Sequence, residues 1–141
     1  MKKIYLIILL ICLCGCNRIV DYPSRLEIRF VNETEHEVEV FIKKALVFSG
    51  KRYTIAAGKT VTDNEMLSSE GGIIWFPVEA EMTFDGIYKA AYQWRVDGEI
   101  IHGTICDGNE WEHEYDERNT YYTYIIREED YNEVVFNGEE K

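Results

Sequence analysis

Positive charge is scarce in this chain. Fifteen lysines and arginines stand against 26 aspartates and glutamates in 141 residues, for a formal net charge of −11. Such a surface repels phosphate backbones and anionic headgroups, which excludes nucleic acid as a partner. Long apolar runs are missing as well: Ile4 to Cys14 holds 11 residues, whereas a helix needs about 20 to cross a bilayer. Of the four cysteines, Cys12, Cys14 and Cys16 crowd the N-terminus. That leaves Cys106 alone in the remainder and excludes an intramolecular disulfide there. No G-x-S-x-G surrounds Ser24, Ser49, Ser68 or Ser69. Gly71-Gly72 precedes a strand pattern and is not followed by the helix that a phosphate loop requires. There is no sustained repeat and no amphipathic pattern long enough for a three-turn helix. Carboxylates are so plentiful that chance proximity is expected, and no glycosidase pair can be singled out.

The N-terminus has the three-part layout of an export signal. Lys2 and Lys3 form a positive start, the apolar run follows, and Leu13-Cys14-Gly15-Cys16 closes it. These four residues resemble the lipobox of bacterial lipoprotein precursors, in which an aliphatic residue and two small ones precede the lipidated cysteine. Leu13, Gly15 and Cys16 match; Cys14 stands where Ala, Ser or Thr is more usual. The resemblance implies a signal peptide over residues 1–15, cleavage before Cys16, and acyl chains, palmitate among them, on Cys16 as the membrane anchor. Each buried methylene adds about 0.8 kcal/mol, so two or three chains hold almost irreversibly. Loss of the two lysines would move the formal charge from −11 to −13. With Cys12 and Cys14 discarded and Cys16 acylated, Cys106 is the one remaining thiol, read as a small buried apolar residue.

Residues 16–24, containing Pro23, read as a lipidated tether that ends in a turn. From Arg25 the hydrophobic period is two. Leu26, Ile28 and Phe30 alternate with charged residues, as do Val38, Val40 and Ile42. The intervening Asn-Glu-Thr-Glu suggests an antiparallel hairpin pairing Phe30 with Val38 and Arg29 with Glu39. Its Asn32-Glu33-Thr34 is formally a glycosylation sequon, disregarded in a bacterial lipoprotein. Tyr53 and Ile55 mark a third strand, Gly58 a turn, and Thr60 to Thr62 a short strand before a polar loop. A longer strand follows from Gly71, with Val78, Ala80 and Met82 on one side and Pro77 marking an edge or a bulge. Around Asp85-Gly86, a three-residue loop of Phe84 to Gly86 would pair Met82 with Tyr88 and Glu81 with Lys89, with Gly86 left-handed. Tyr88, Ala90, Tyr92 and Trp94 alternate inward, Asp97-Gly98 turns, Trp111, His113 and Tyr115 alternate again, and residues 120–128 form the last clear strand. Glu128 to Phe136 adds a helical turn. The pattern implies one all-β domain over residues 25–136, an antiparallel β-sandwich of immunoglobulin-like size with eight or nine strands, followed by an acidic tail at 137–141. A small antiparallel β-barrel is the alternative.

Chemistry-bearing residues are few. His102, Cys106 and His113 are spaced H-x3-C-x6-H, and imidazole with thiolate is zinc-ligand chemistry. Structural zinc sites want four ligands at shorter, turn-like spacing, so this trio defines only an alternative reading, a small periplasmic metal-dependent binder or enzyme. Asp107, Asn109 and Glu112 supply hard oxygens but lack the fuller calcium-loop pattern, and Asp-Gly-Asn reads as a polar turn. No cofactor is implied. Trp75, Trp94 and Trp111 read mainly as core, while Trp111 and the outward-facing Tyr121 are candidate contacts for a protein or glycan.

Residues 118–136, RNTYYTYIIREEDYNEVVF, resemble the closing segment of small all-β lipoproteins of unknown function from Bacteroidetes, with a Y-x-Y-x-I-x-E-E-D-Y-like pattern. The resemblance implies an uncharacterised outer-membrane lipoprotein with a sandwich domain and carries no catalytic residue across. Surface-exposed members carry acids directly after the lipidated cysteine, whereas Asn17 to Val20 here hold none, so the face of the membrane stays open. The reading at this point is a lipid-anchored, non-catalytic binding or assembly module for a protein or glycan.

Overall fold

The computed structural model describes residues 25–44, 50–66, 77–116 and 119–139. The signal segment, the tether, Cys16, Gly71-Gly72, Trp75 and residues 140–141 lie outside the described residues. Ten strands are assigned: β1 (Arg25–Asn32), β2 (Val38–Lys43), β3 (Lys51–Ile55), β4 (Thr60–Met66), β5 (Glu79–Phe84), β6 (Tyr88–Gln93), β7 (Arg95–Val96), β8 (Glu99–Ile100), β9 (Glu112–Tyr115) and β10 (Asn119–Ile126). A helix, α1, covers Glu128–Glu139.

The strands form two open four-stranded sheets, ordered β4-β1-β10-β9 and β3-β2-β5-β6, with β7 and β8 as a separate ribbon. The architecture is a β-sandwich; neither sheet closes into a barrel. All ladders are antiparallel except β1 with β10, where Phe30 lies opposite Tyr124. The period of two explains the interior. Leu26, Ile28 and Phe30 from the first sheet meet Val38, Val40, Ile42, Met82 and Phe84 from the second, all fully buried or nearly so. Each such side chain contributes roughly 1.5–3 kcal/mol relative to exposure, against about 0–1 kcal/mol for a surface ion pair. The apolar stripe therefore dominates.

The first hairpin is corrected. β1 and β2 do not pair: Phe30 lies opposite Val61 and Tyr124, and Val38 opposite Ile55 and Phe84. Asn32 supplies the reason. Its side chain is fully buried, and Nδ2 donates to the carbonyls of His36, Ile55 and Ala56 at 2.7, 3.1 and 3.2 Å. Its Oδ1 accepts from the Thr34 N–H and hydroxyl. The chain thus arches from one sheet to the other at residues 33–37, and the same amide holds the second crossover, between β3 and β4, beside Gly58 (φ 64°). The formal sequon is a structural knot.

The β5–β6 turn keeps the expected facing with a different register. Phe84 pairs with Tyr88, Met82 with Ala90 and Ala80 with Tyr92, two positions from the expected pairing. Asp85 and Gly86 both have positive φ, at 50° and 69°, and Ile87 N–H donates to Phe84 carbonyl, so Ile87 is the extra residue. A shift of two preserves which side chains face inward, which is why the alternation could not distinguish the two. Pro77 lies just before β5, whose flanking Val78 N–H donates to Lys43 carbonyl.

Two further expectations change. In place of a helical turn and a tail from 137, α1 runs through Glu139. The Asp130 carboxylate accepts the Arg127 N–H at 2.7 Å, capping its first turn. Tyr131 packs edge-on against Phe84 and Tyr88, and Val134 enters the core. Tyr131 and Val134, with Val135 beside them, form the inward stripe among the described side chains, too narrow for periodicity to register. Trp111 is buried, but His113 and Tyr115 are exposed on β9, an edge strand whose four residues all face solvent.

Candidate functional site

Alternation that sends Val40 and Ala80 inward sends their neighbours outward, and on the second sheet this builds an ordered surface. The register sets Thr54, Glu39, Thr83 and Lys89 in one row, and Arg52, Phe41, Glu81 and Ala91 in the next. Lys43, Glu79 and Gln93 form the third. Three ion pairs order this surface, two of them joining the first row to the second and one lying within the third. Arg52 bonds Glu39, Lys43 Nζ lies 3.1 Å from Glu79 Oε2, and Lys89 Nζ lies 2.7 Å from Glu81 Oε2. Pairs this exposed add little stability, but they fix where the carboxylates sit.

Phe41 is the anomaly, an aromatic ring at an outward position. Arg52 carries its guanidinium 5.3 Å from the ring centroid. The ring also lies against Gly50, where an added Cβ would come within 2.1 Å of Phe41 Cζ. Beside it Ala91 offers only a methyl group among long side chains, and the surface sinks there. The resulting depression has a volume of about 150 Å³ and is bounded by Phe41, Glu79, Glu81, Ala91 and Gln93. Sequence reasoning did not single out these residues. The available signal was Phe41 itself, which falls on the charged side of the Val38–Lys43 alternation.

The residues named from sequence are dispersed. Cys106 is fully buried, and burial, reinforced by the Glu79 carboxylate, pushes its thiol up to about 12. The protonated thiol is a poor ligand and nucleophile near neutral pH. His102 is exposed, its Nδ1 2.9 Å from Asp107 Oδ2. His113 sits on β9 beside the Tyr115 and Tyr122 rings. Among the described residues no group of three or more histidines, cysteines or acids is placed to hold a metal ion, so the His102, Cys106 and His113 trio is not brought together.

Asp107 instead organises its own loop. Its carboxylate accepts from the Asn109 N–H, which caps the short 3-10 turn at Gly108–Glu110, and also bonds the Asn109 side-chain amide, the Gly103 N–H and His102. Burial raises its pKa, but these hydrogen bonds outweigh burial and hold it below the usual carboxylate range. The loop carries Ile105 and Cys106 into the core, where Trp111 Nε1–H donates to Ile105 carbonyl at 2.8 Å. Trp111 is therefore core and is removed as a surface contact. Trp94 is partly buried against the core with Arg95 over its ring. Tyr121 does face outward, on the opposite sheet; its hydroxyl donates to Asp116 at 2.7 Å, and Arg29 covers its ring at 4.6 Å. No family model, curated protein or solved structure matches the chain.

Proposed function

We propose that the protein is a cell-envelope lipoprotein, anchored through acyl chains on Cys16, that acts as a non-catalytic binding module with the outer face of β3-β2-β5-β6 as its working surface. The observation that carries the reading is the depression beside Phe41: an aromatic ring, two fixed carboxylates and an amide converge there on the outer face of the sheet. A concave surface that sets an aromatic ring among a few placed polar groups is the composition that ligand sites use. The anchor rests on Leu13-Cys14-Gly15-Cys16. The stretch from Cys16 to Arg25 reaches at most about 30 Å when fully extended, which keeps the module close to the bilayer.

The test has two arms. Radiolabelled palmitate enters the wild-type chain and is absent from Cys16→Ala; label retained in the variant refutes the anchor. Crosslinking in the native membrane, on wild type and Phe41→Ala, reads the face. Partners captured equally by both would remove the face from the proposal.

A further inference from the structure

We infer that the depression beside Phe41 is a subsite for a single neutral saccharide ring, an inference that rests on the binding-module reading and specifies its ligand. Charge is the first argument. Around the depression stand three cations, Lys43, Arg52 and Lys89, and three anions, Glu39, Glu79 and Glu81, and each cation is paired to one of the anions. On a chain with a formal charge of −11, this face is locally balanced. A cationic ligand meets carboxylates already neutralised, and an anionic one meets lysines already engaged.

Size is the second argument. A space of about 150 Å³ is the volume that, in an engineered cavity, holds one benzene-sized molecule, so the depression seats one ring. Glu79 and Glu81 are two residues apart on one strand face, about 7 Å by strand geometry. A ring seated between them offers hydroxyl hydrogens to both carboxylates and hydroxyl lone pairs to Lys43 and Lys89, while its C–H face lies on Phe41. Hydroxyl groups are the ligand chemistry that uses each ion pair as an acceptor and a donor at once. The Gln93 amide adds one of each.

A protein partner fits less well. The centres of protein interfaces are depleted in Lys and Glu. Here the Phe41 ring is surrounded by them. A single platform of this size gives weak binding, with a Kd on the order of 1 mM.

Saturation-transfer difference NMR on the full chain in detergent tests this directly. The probes are glucose, galactose, mannose, N-acetylglucosamine and two neutral disaccharides, maltose and cellobiose, with glucosamine and glucuronate as charged comparators. At least one neutral sugar gives a signal, which falls tenfold or more in Phe41→Ala and in Ala91→Leu and is unchanged in Tyr121→Phe on the opposite sheet. Ala91 is exposed, so Ala91→Leu fills the depression without entering the core, and near-ultraviolet circular dichroism verifies its fold. The proposal is overturned by silence with every neutral sugar, by preference for a charged comparator, or by a signal that Ala91→Leu leaves intact. If the sugars are silent while palmitate labelling and Phe41-dependent crosslinks persist, the saccharide falls and the binding module stands. Loss of all three removes both.

Discussion

Asn32→Asp replaces one NH2 group by an oxygen and leaves the shape of the side chain nearly unchanged, so it isolates the hydrogen bonding that holds both crossovers between the sheets. In the wild type Nδ2 faces three carbonyl oxygens, of His36, Ile55 and Ala56, at a fully buried position. The introduced oxygen would face the same three carbonyl oxygens with no proton to offer them and no counter-ion among the contacts of Asn32, while Oδ1 keeps the Thr34 N–H and hydroxyl. An uncompensated buried charge costs about 3–5 kcal/mol, a large share of the 5–15 kcal/mol that holds a domain together. Asn32→Ala is milder, at about 2–3 kcal/mol, because Lys59 N–H stays on the Ala56 carbonyl and the Thr34 hydroxyl, released from Oδ1, can turn its one hydrogen to the His36 carbonyl 3.3 Å away. The cost of Asn32→Asp depends on pH with a definite sign. Burial raises the folded-state pKa of the introduced carboxyl above its unfolded value of about 3.9. Its penalty is therefore small in acid and grows as pH rises through the folded pKa. Urea melts of the full chain at intervals between pH 4 and 8, with wild type at each pH, measure the gap. A gap below about 1 kcal/mol at pH 7, or one that does not change with pH, would refute the role assigned to Asn32.

Gly86 has a φ of 69° with open space around it, so Gly86→Ala costs about 1 kcal/mol from backbone conformation alone; an unchanged melting curve would contradict the left-handed turn. Gly50→Ala works by collision, displacing the Phe41 ring, and is expected to shift the Phe41 ring resonances while Gly86→Ala does not. Cys106 is expected to resist iodoacetamide at pH 7.5 in the folded chain and to react in urea, as read by mass spectrometry of its peptide; rapid labelling without denaturant would overturn its burial. Asp63 and Asp107 both have lowered pKa values: burial acts to raise each, and hydrogen bonds, from Lys51 and Tyr53 to Asp63 and from Asn109, His102 and Gly103 to Asp107, outweigh it. Their stabilisation is present above about pH 4 and is lost as pH falls through the folded values, so Asp63→Asn and Asp107→Asn are expected to flatten the acid limb of the stability curve; limbs parallel to wild type would refute this.

The candidate site was half visible in the chain. Phe41 follows Val40 and precedes Ile42, so its outward position could be read from the alternation. That Ala91 and Gln93 stand beside it could not, because those neighbours depend on the β2–β5–β6 register. The apolar pattern also misjudged His113 and Tyr115. They alternate with Trp111 in sequence, yet β9 ends the sheet and its four residues are exposed, whereas Trp111 turns inward to bond Ile105.

Sequence alone determined which side of most strands is buried and that Gly86 is left-handed, because these follow from side-chain period and local backbone preference; that Cys106 lies inside followed from its residue type beside Ile105. Which strands become neighbours was decided by tertiary structure. Alternation is satisfied equally well whether β1 pairs with β2 or faces it across the core, since Leu26, Ile28 and Phe30 point inward in both arrangements. The choice rests on one buried amide, Asn32, whose three carbonyl partners come from segments up to 24 residues away and exist only once both sheets are in place.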